Sequence, residues 1–212
     1  MAKRRYGFWA LGLIVLVVAI DQFVKLYVKT HFALYEQVEV FSWFKLYFVE
    51  NDGMAFGLDF LGTAPLACFR VIAISAFCFY LRRLVQERTP WGMIACISLI
   101  IAGAVGNLLD NAFYGEIFTE SVPQGFGEMA HLVDFGTGYG EFLSGKVVDM
   151  FYFPLFTWPT WMPLVGGEVF FGAVFNFADA AINVGAIALI LFYYKRLFQT
   201  PVQTKEKDVA NV

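Results

Sequence analysis

The sequence predicts an all-α polytopic membrane protein with four transmembrane helices. Its composition, its long apolar runs and the placement of its basic residues all indicate this class. The 212 residues are 59% hydrophobic and 19% aromatic, and only 16% are charged. A water-soluble domain of this length could not bury so much apolar surface in one core, so part of that surface must face lipid.

Four apolar runs are long enough to span a bilayer, which takes about 20 mostly apolar residues for about 30 Å of hydrocarbon. They cover residues 6–28, 64–81, 91–113 and 169–194. The first run has the basic start of a secretory signal, but no convincing small-x-small cleavage site follows Ile20, so we expect it to remain as a span. Residues 1–198 are therefore predicted to form one integral-membrane domain, and residues 199–212 a short tail.

Basic residues lie mainly on one side of these spans. Ten basic residues define this side. Lys3, Arg4 and Arg5 precede the first span, and Arg82, Arg83 and Arg88 lie between the second and third. The fourth span is followed by Lys195, Arg196, Lys205 and Lys207. By the positive-inside rule both termini are cytoplasmic, and segments 29–63 and 114–168 are outside. The net charge of -3 and the absence of a basic patch argue against a nucleic-acid partner.

The two outer segments are rich in aromatic residues. Residues 41–49 favour strands and precede an Asn-Asp-Gly turn, so we predict a small extracytoplasmic β cradle after the first span. Residues 151–163 combine aromatics with prolines, which prevent a regular span and suit the level of the lipid headgroups. We predict an interfacial aromatic segment there and not a fifth helix.

Three aspartates fall inside predicted spans, where a carboxylate costs about 2.5–3.5 kcal/mol on insertion scales and is a functional candidate. Asp21 lies 13 residues after Phe8, and Asp179 lies 15 residues before Tyr194. At about 1.5 Å per residue, both are about 20 Å from the cytoplasmic ends. Asp110 lies close to the outer end of the third span. The three acids are therefore predicted to meet in the outer half of the membrane.

Other polar residues share the helix faces of these acids. Helical spacing aligns Asn176, Asp179 and Asn183 on one span, and Gly103, Asn107 and Asp110 on another. The glycines permit close helix packing, so these stripes can face each other. Asp149 enters the same layer from the outer aromatic segment. Two carboxylates in a partly dry pocket resist joint ionisation, so one keeps a proton while the other activates water, as in aspartic proteases.

Several other functions compete with this interpretation. The same polar groups could merely join helices in a structural scaffold, or form a proton relay in a transporter. Thr137-Gly-Tyr-Gly140 is similar to a channel filter but lacks its valine. Ser144 and Lys146 are poorly placed for a serine-lysine protease, and His31 and His131 form no zinc motif, so no metal site is predicted.

Five short motifs occur in order along the chain. They are Asp21-Gln22-x-x-Lys25, Asn51-x-Gly53-x-Ala55-Phe56-Gly57, Gly106-Asn107-Leu-Leu-Asp110, Val147-Val-Asp149 and Phe175-Asn176-x-Ala178-Asp179-x-x-Ile182. Each motif is weak to moderate alone, but their order is specific. With them, the chain resembles the signal peptidase II family, the lipoprotein signal peptidases.

The resemblance implies an aspartic endopeptidase of the bacterial cytoplasmic (inner) membrane, with Asp149 and Asp179 as the catalytic pair. It implies no metal and no cofactor. The substrate would be a prolipoprotein whose cysteine carries diacylglycerol, cut on the amino side of that cysteine at the outer membrane surface. Membrane lipid and cyclic peptide inhibitors of the globomycin type would be further partners.

The resemblance also implies roles for the other polar residues. Asn51, Asn107 and Asn176 match polar pocket positions that bind the substrate backbone or orient the catalytic pair. We interpret Asp110 as a structural brace, and Asp21 with Lys25 as a partly buried ion pair that fixes the first span.

The chain departs from the family pattern at two places. The family usually has arginine directly after the aspartate of the Gly-Asn-x-x-Asp motif, where this chain has Asn111. Arg70 lies six residues, or about 9 Å, into the second span, and we hypothesise that it replaces the missing cation. The second departure is the long, acidic segment 114–145, for which a lid over the site and a surface elaboration are both open.

Overall fold

The computed structural model describes residues 2–52 and 64–197 and contains four long helices. These are α1 (Ala2–His31), α2 (Ala64–Gln86), α3 (Trp91–Leu109) and α5 (Phe177–Leu197). Each includes a stretch long and apolar enough to cross a membrane, within Arg5–His31, Pro65–Gln86, Trp91–Ile117 and Phe177–Arg196. The predicted four-span architecture is confirmed.

Helix α3 lies at the centre of the bundle and packs against α1, α2 and α5. Its apolar side chains, such as Ile94, Ile97 and Ile101, are buried. The other three helices instead expose large apolar side chains, among them Phe8, Trp9, Leu11, Val15, Phe69, Ile72, Phe79, Ile187, Leu191 and Phe192. These exposed residues form the surface that suits contact with lipid acyl chains.

The predicted start of the fourth span, at residue 169, is wrong. Two short strands, β5 (Val169–Phe170) and β6 (Val174–Phe175), precede α5, which begins only at Phe177. The helix starts there because the side chain of Asn176 caps it, and a cap needs a non-helical backbone. Hydropathy alone does not separate apolar strand residues from helical ones, so the predicted span includes both strands.

The third span also ends differently from the prediction at residue 113. After α3 the chain forms a π-helical turn (Asp110–Tyr114) and a single α-helical turn, α4 (Gly115–Ile117). A π turn carries one extra residue per turn and so shifts the faces that successive side chains occupy. Asp110 and Asn111 are both buried in this turn.

One end of the helix bundle carries a four-stranded antiparallel sheet. Strands β1 (Gln37–Phe41), β2 (Phe44–Asn51), β3 (Val147–Tyr152) and β6 are hydrogen-bonded in that order. The predicted β cradle is present, but the description all-α is wrong, because the sheet joins segments from three parts of the chain. Within it, Val49 pairs with Asp149, and Asn51 pairs with Val147.

The first residues of the long segment 114–145 pack against one face of this sheet. Phe118 and Tyr114 form a buried cluster with Phe48, Val148 and Met150. Side chains alternate between the two faces of a strand, so Asp149 lies on the opposite face from Val148 and Met150. Around Phe118, the segment therefore packs on the face that lies away from Asp149.

The predicted interfacial aromatic segment contains a hairpin of β4 (Phe156–Thr157) and β5. The rings of Phe156 and Phe170 stack at 4.7 Å, and Trp158 meets both edge-on. Gly53, Ala55, Phe56 and Gly57 of the second motif, and the tail 199–212, lie outside the described residues.

Candidate active site

Asp149 is held in the middle of β3 by two asparagine side chains. Asp149 is buried, with 4% of its surface exposed. Asn176 Nδ2 donates a hydrogen bond to Asp149 Oδ1 over 2.7 Å, and Asn51 Nδ2 donates to Asp149 Oδ2 over 3.4 Å. Asn51 reaches the carboxylate because it lies two residues after Val49, the residue that pairs with Asp149, and therefore on the same face of the sheet.

Asp179 lies in the first turn of α5 and takes part in the helix cap. Asn176 Oδ1 accepts a hydrogen bond from Asp179 N over 2.8 Å, and Asp179 Oδ2 accepts one from Asn176 N over 3.5 Å. This reciprocal pair is a capping box in which aspartate takes the usual place of glutamate. The carboxyl group thus lies at the positive end of the helix dipole.

Asn107 on α3 joins the two carboxylates into one network. Asn107 Nδ2 donates to Asp179 Oδ1 over 2.8 Å, and Asn107 Oδ1 accepts from Asn176 Nδ2 over 3.1 Å. Asn176 Nδ2 also donates to Asp149, so every member of the network contacts at least one other member. Asn176 contacts both carboxylates directly.

A buried ion cluster lies behind Asn107. Lys25 Nζ is 2.9 Å from Asp21 Oδ2 and 2.7 Å from Asp110 Oδ2. It also donates to Asn107 Oδ1 over 2.7 Å. None of the three charged side chains is more than 1% exposed. Lys25 and Asp21 therefore form the pair that their spacing predicts, but the pair is fully buried and includes Asp110.

The two acids of this cluster also hold neighbouring backbone and side chains. Asp21 Oδ1 accepts a hydrogen bond from Ala178 N over 2.8 Å, at the start of α5. Gln22 Nε2 donates to Asp110 Oδ1 over 2.8 Å, and Val148 N donates to Asp110 Oδ2 over 3.4 Å. The cluster thus connects α1, α3, α5 and β3 at one depth.

Gly106 makes this close packing possible. A Cβ atom there would lie 2.6 Å from Asp21 Oδ2 and 3.2 Å from Ala178 Cβ, and one at Gly103 would collide with the carbonyl oxygen of Ala178. The structure brings α1 and α5 against this side of α3, as the two glycines predict.

Arg70 extends from α2 to the π turn. Its Nη1 donates a hydrogen bond to Asn111 Oδ1, and Asn111 Nδ2 donates to the carbonyl oxygen of Gly145 over 2.7 Å. The guanidinium is close enough to Asp179 and Asp149 to interact electrostatically with both. The structure therefore places the hypothesised replacement cation against the residue that stands where the family has arginine.

Burial raises the pKa of Asp149 to about 7, and the negative charge of Asp179 acts in the same direction. Lys25 and the hydrogen bonds from Asn51 and Asn176 oppose this shift. A carboxyl group with such a pKa can hold a proton near neutral pH while its neighbour is ionised. This asymmetry suits general acid–base chemistry on a substrate between the two aspartates.

A model of the signal peptidase (SPase) II family matches residues 13–195 of the chain. The chain belongs to the signal peptidase II family. The family is one of proteases, so this membrane protein is assigned to the hydrolases. Among the residues that the structure describes, no group of three or more histidine, cysteine, aspartate or glutamate side chains is arranged to hold a metal ion.

Individual relatives agree with the family match. The chain is 46% identical to the lipoprotein signal peptidase of Porphyromonas gingivalis over 188 residues, which cover 86% of this chain and 81% of that protein. It is 35% identical to the lipoprotein signal peptidase of Amoebophilus asiaticus over 220 residues, which cover 97% and 85%. A bacterial membrane enzyme solved by the in meso method at 1.9 Å has a similar fold, with a TM-score of 0.56, 22% identity and coverage of 90% and 94%.

The sequence-based prediction missed Gln22 and Lys29 as members of the polar interior. Gln22 bridges Asp21 and Asp110, and Tyr114 Oη donates to Gln22 Oε1 over 3.2 Å. Lys29 is fully buried in the last turn of α1. Its signal was the spacing of four residues from Lys25, which continues the polar stripe that begins at Asp21.

Proposed function

We propose that this protein is an aspartic endopeptidase that removes the signal peptide from diacylglyceryl-modified prolipoproteins by cutting on the amino side of the modified cysteine. Family membership supports proteolysis, and the names of the relatives support lipoprotein substrates. The observation that carries the aspartic mechanism is that Asp149 and Asp179, from two separate elements, both hydrogen-bond to Asn176.

In the proposed reaction, Asp149 begins with the shared proton because its pKa is raised to about 7. Ionised Asp179 takes a proton from water as the water oxygen attacks the scissile carbonyl carbon, and Asp149 protonates the carbonyl oxygen. The tetrahedral intermediate then collapses: Asp179 passes the proton it took from water to the leaving amine nitrogen, and Asp149 regains its proton from a hydroxyl group of the intermediate. The products are a signal peptide with a new carboxyl group and a lipoprotein with a free amine on its cysteine.

The three asparagines have distinct positions in this scheme. Asn107 and Asn176 donate to the carboxylates from the interior, so we assign them to orienting the pair. Asn51 is exposed and lies at the edge of Asp149, which leaves it accessible to an extended substrate backbone. Asp21, Lys25 and Asp110 are withdrawn behind Asn107 and do not reach the substrate in this scheme.

We propose that both termini are cytoplasmic and that the active site is at the outer membrane surface of the bacterial inner membrane. Lys195 and Arg196 lie at one end of α5, and the site lies at the other. The β4–β5 hairpin, at the same end as the site, also suits a membrane surface, because residues 150–167 include no charged residue. Trp161 is 80% and Leu164 98% exposed, as suits residues within the lipid headgroup layer.

Purified protein in lipid nanodiscs tests the proposed substrate class. A prolipoprotein that carries diacylglycerol on its cysteine is expected to be cut, and the same precursor without the lipid is expected to remain largely intact. A chelator should leave the rate unchanged, and a cyclic peptide of the globomycin type should compete with the substrate. Equal cleavage of both precursors would contradict the proposal.

The rate should depend on the proton shared by the two aspartates. Cleavage is expected to decline as the pH rises through about 7, because Asp149 then loses the proton that the mechanism requires. Asn51→Ala removes a hydrogen bond that lowers this pKa, so it should move the alkaline limb of kcat/KM to higher pH. An alkaline limb that does not move in Asn51→Ala would argue against Asp149 as the proton holder.

Arg70 is proposed to bind substrate carbonyl groups beside the aspartates. Arg70→Ala should lower kcat/KM about 10- to 100-fold, because a hydrogen bond to a charged group contributes about 1.5–3 kcal/mol. Arg70→Lys retains the charge and should lose less. Unchanged cleavage and inhibitor binding in Arg70→Ala, together with a higher melting temperature in Arg70→Leu, would show that Arg70 has no such role.

A further inference from the structure

We propose that Lys25 is a positioning residue for the catalytic pair, because its ammonium group determines which way the side-chain amide of Asn107 faces. This goes beyond the structural ion pair that the sequence predicts for Lys25. It rests on the proposed roles of Asp149 and Asp179.

The three hydrogens of the ammonium group have three acceptors. They are Asp21 Oδ2 at 2.9 Å, Asp110 Oδ2 at 2.7 Å and Asn107 Oδ1 at 2.7 Å. A lysine that only braced helices would need its two carboxylate partners alone. The contact with the neutral Asn107 amide is as short as the shorter ion pair.

An ammonium group can only donate hydrogen bonds, so the oxygen of the Asn107 amide, and not its nitrogen, must face it. The amide nitrogen is thereby directed to the other side, where it donates to Asp179 Oδ1 over 2.8 Å. A flipped amide would place its N–H groups against the ammonium and its oxygen against the carboxylate. Both contacts would be repulsive at this buried position.

The same constraint passes to Asn176. Asn107 Oδ1 also accepts from Asn176 Nδ2, which directs that nitrogen toward Asp149 Oδ1 and leaves Asn176 Oδ1 for Asp179 N. One buried cation therefore orients two amides so that each donates to one aspartate. The positive charge of Lys25 also favours the ionised form of Asp149.

The charged groups around the pair determine how a change at Lys25 should appear. Asp21 faces Lys25 from α1, Asp110 faces it from the π turn, and Arg70 approaches the catalytic pair from α2. Removing only the ammonium charge leaves the two acids and Arg70 in place. The aspartates should then hold their shared proton more tightly.

The test compares Lys25→Gln, which is neutral, with Lys25→Arg, which keeps the charge. Lys25→Gln should lower kcat about 10- to 100-fold, the effect that losing an orienting partner has at metal ligands, with little change in KM. Its alkaline limb should move to higher pH. Lys25→Arg should keep more activity and an unmoved limb. Equal losses in both variants with unmoved limbs would overturn the proposal.

Asp149→Asn and Asp179→Asn are measured alongside. If either of these keeps full activity, the catalytic pair itself is wrong, whereas inactive aspartate variants with a normal pH profile in Lys25→Gln overturn only the role of Lys25. If Lys25→Gln does not fold, Lys25→Gln/Asp110→Asn removes the uncompensated acid and is compared with Asp110→Asn. If the folded double variant is much less active than Asp110→Asn, the positioning role of Lys25 is supported. If the two variants are equally active, the proposal is overturned.

Discussion

Replacing Asp149 or Asp179 by asparagine is expected to lower kcat by about a thousandfold or more, within the range seen when proton-transfer groups are removed from acid–base sites. Each change keeps the shape of the side chain and removes the atom that holds or accepts the proton. Asn107 and Asn176 would still contact the altered side chains, so the melting temperature should change little. The measurement is single-turnover cleavage of a diacylglyceryl-modified precursor.

Asp134→Asn is the matched control, because Asp134 is an exposed aspartate of the long segment, outside the catalytic pair and its hydrogen-bond network. It removes one negative charge in the same way and should cleave at the wild-type rate. Full activity in Asp149→Asn or in Asp179→Asn would eliminate that residue from the mechanism.

Lys29→Met is expected to lower the free energy of unfolding by about 3–5 kcal/mol, the usual cost of leaving one member of a buried ion pair uncompensated. Lys29 is paired with Glu50, whose side chain is 4% exposed, and Ser121 Oγ bonds to both. The ammonium also lies 5.2 Å from the ring of Phe118 and 5.0 Å from that of Tyr139. These contacts attach the long segment to α1 and β2.

The readouts for Lys29→Met are thermal unfolding in detergent and limited proteolysis, which should cut the variant between residues 118 and 146. Lys29→Met/Glu50→Gln leaves no unpaired charge and should recover most of the lost stability. Glu87→Gln, at the exposed Arg83–Glu87 pair, should have almost no effect. A Lys29→Met protein as stable as the wild type would show that the pair is not needed to hold the segment.

The four spans could be predicted because a bilayer requires long, uniformly apolar helices, and few other structures satisfy that pattern. The depth of Asp21, Asp110 and Asp179 followed from the rise of a helix, and the structure places these residues in one connected layer. The start of α5 was misplaced because Val169 and Phe170 are as apolar as span residues while forming a strand.

Other features depend on contacts between distant parts of the chain. Lys29, Glu50 and Ser121 meet only after three segments fold together, and no local pattern links them. The π turn decides that Asn111 faces Arg70 while Asp110 faces Lys25. Helical periodicity assumes an unbroken α-helix, so it could not reveal contacts that depend on the π turn.

The most direct test of the proposed activity is the mass of the products formed from a diacylglyceryl-modified prolipoprotein by purified protein in nanodiscs. The expected result is a mature chain that begins with the lipid-modified cysteine and a complementary signal peptide with a free carboxyl terminus. Both products should be absent with Asp149→Asn. An intact precursor after incubation with the folded wild-type protein, or a cut at another peptide bond, would contradict the proposed function.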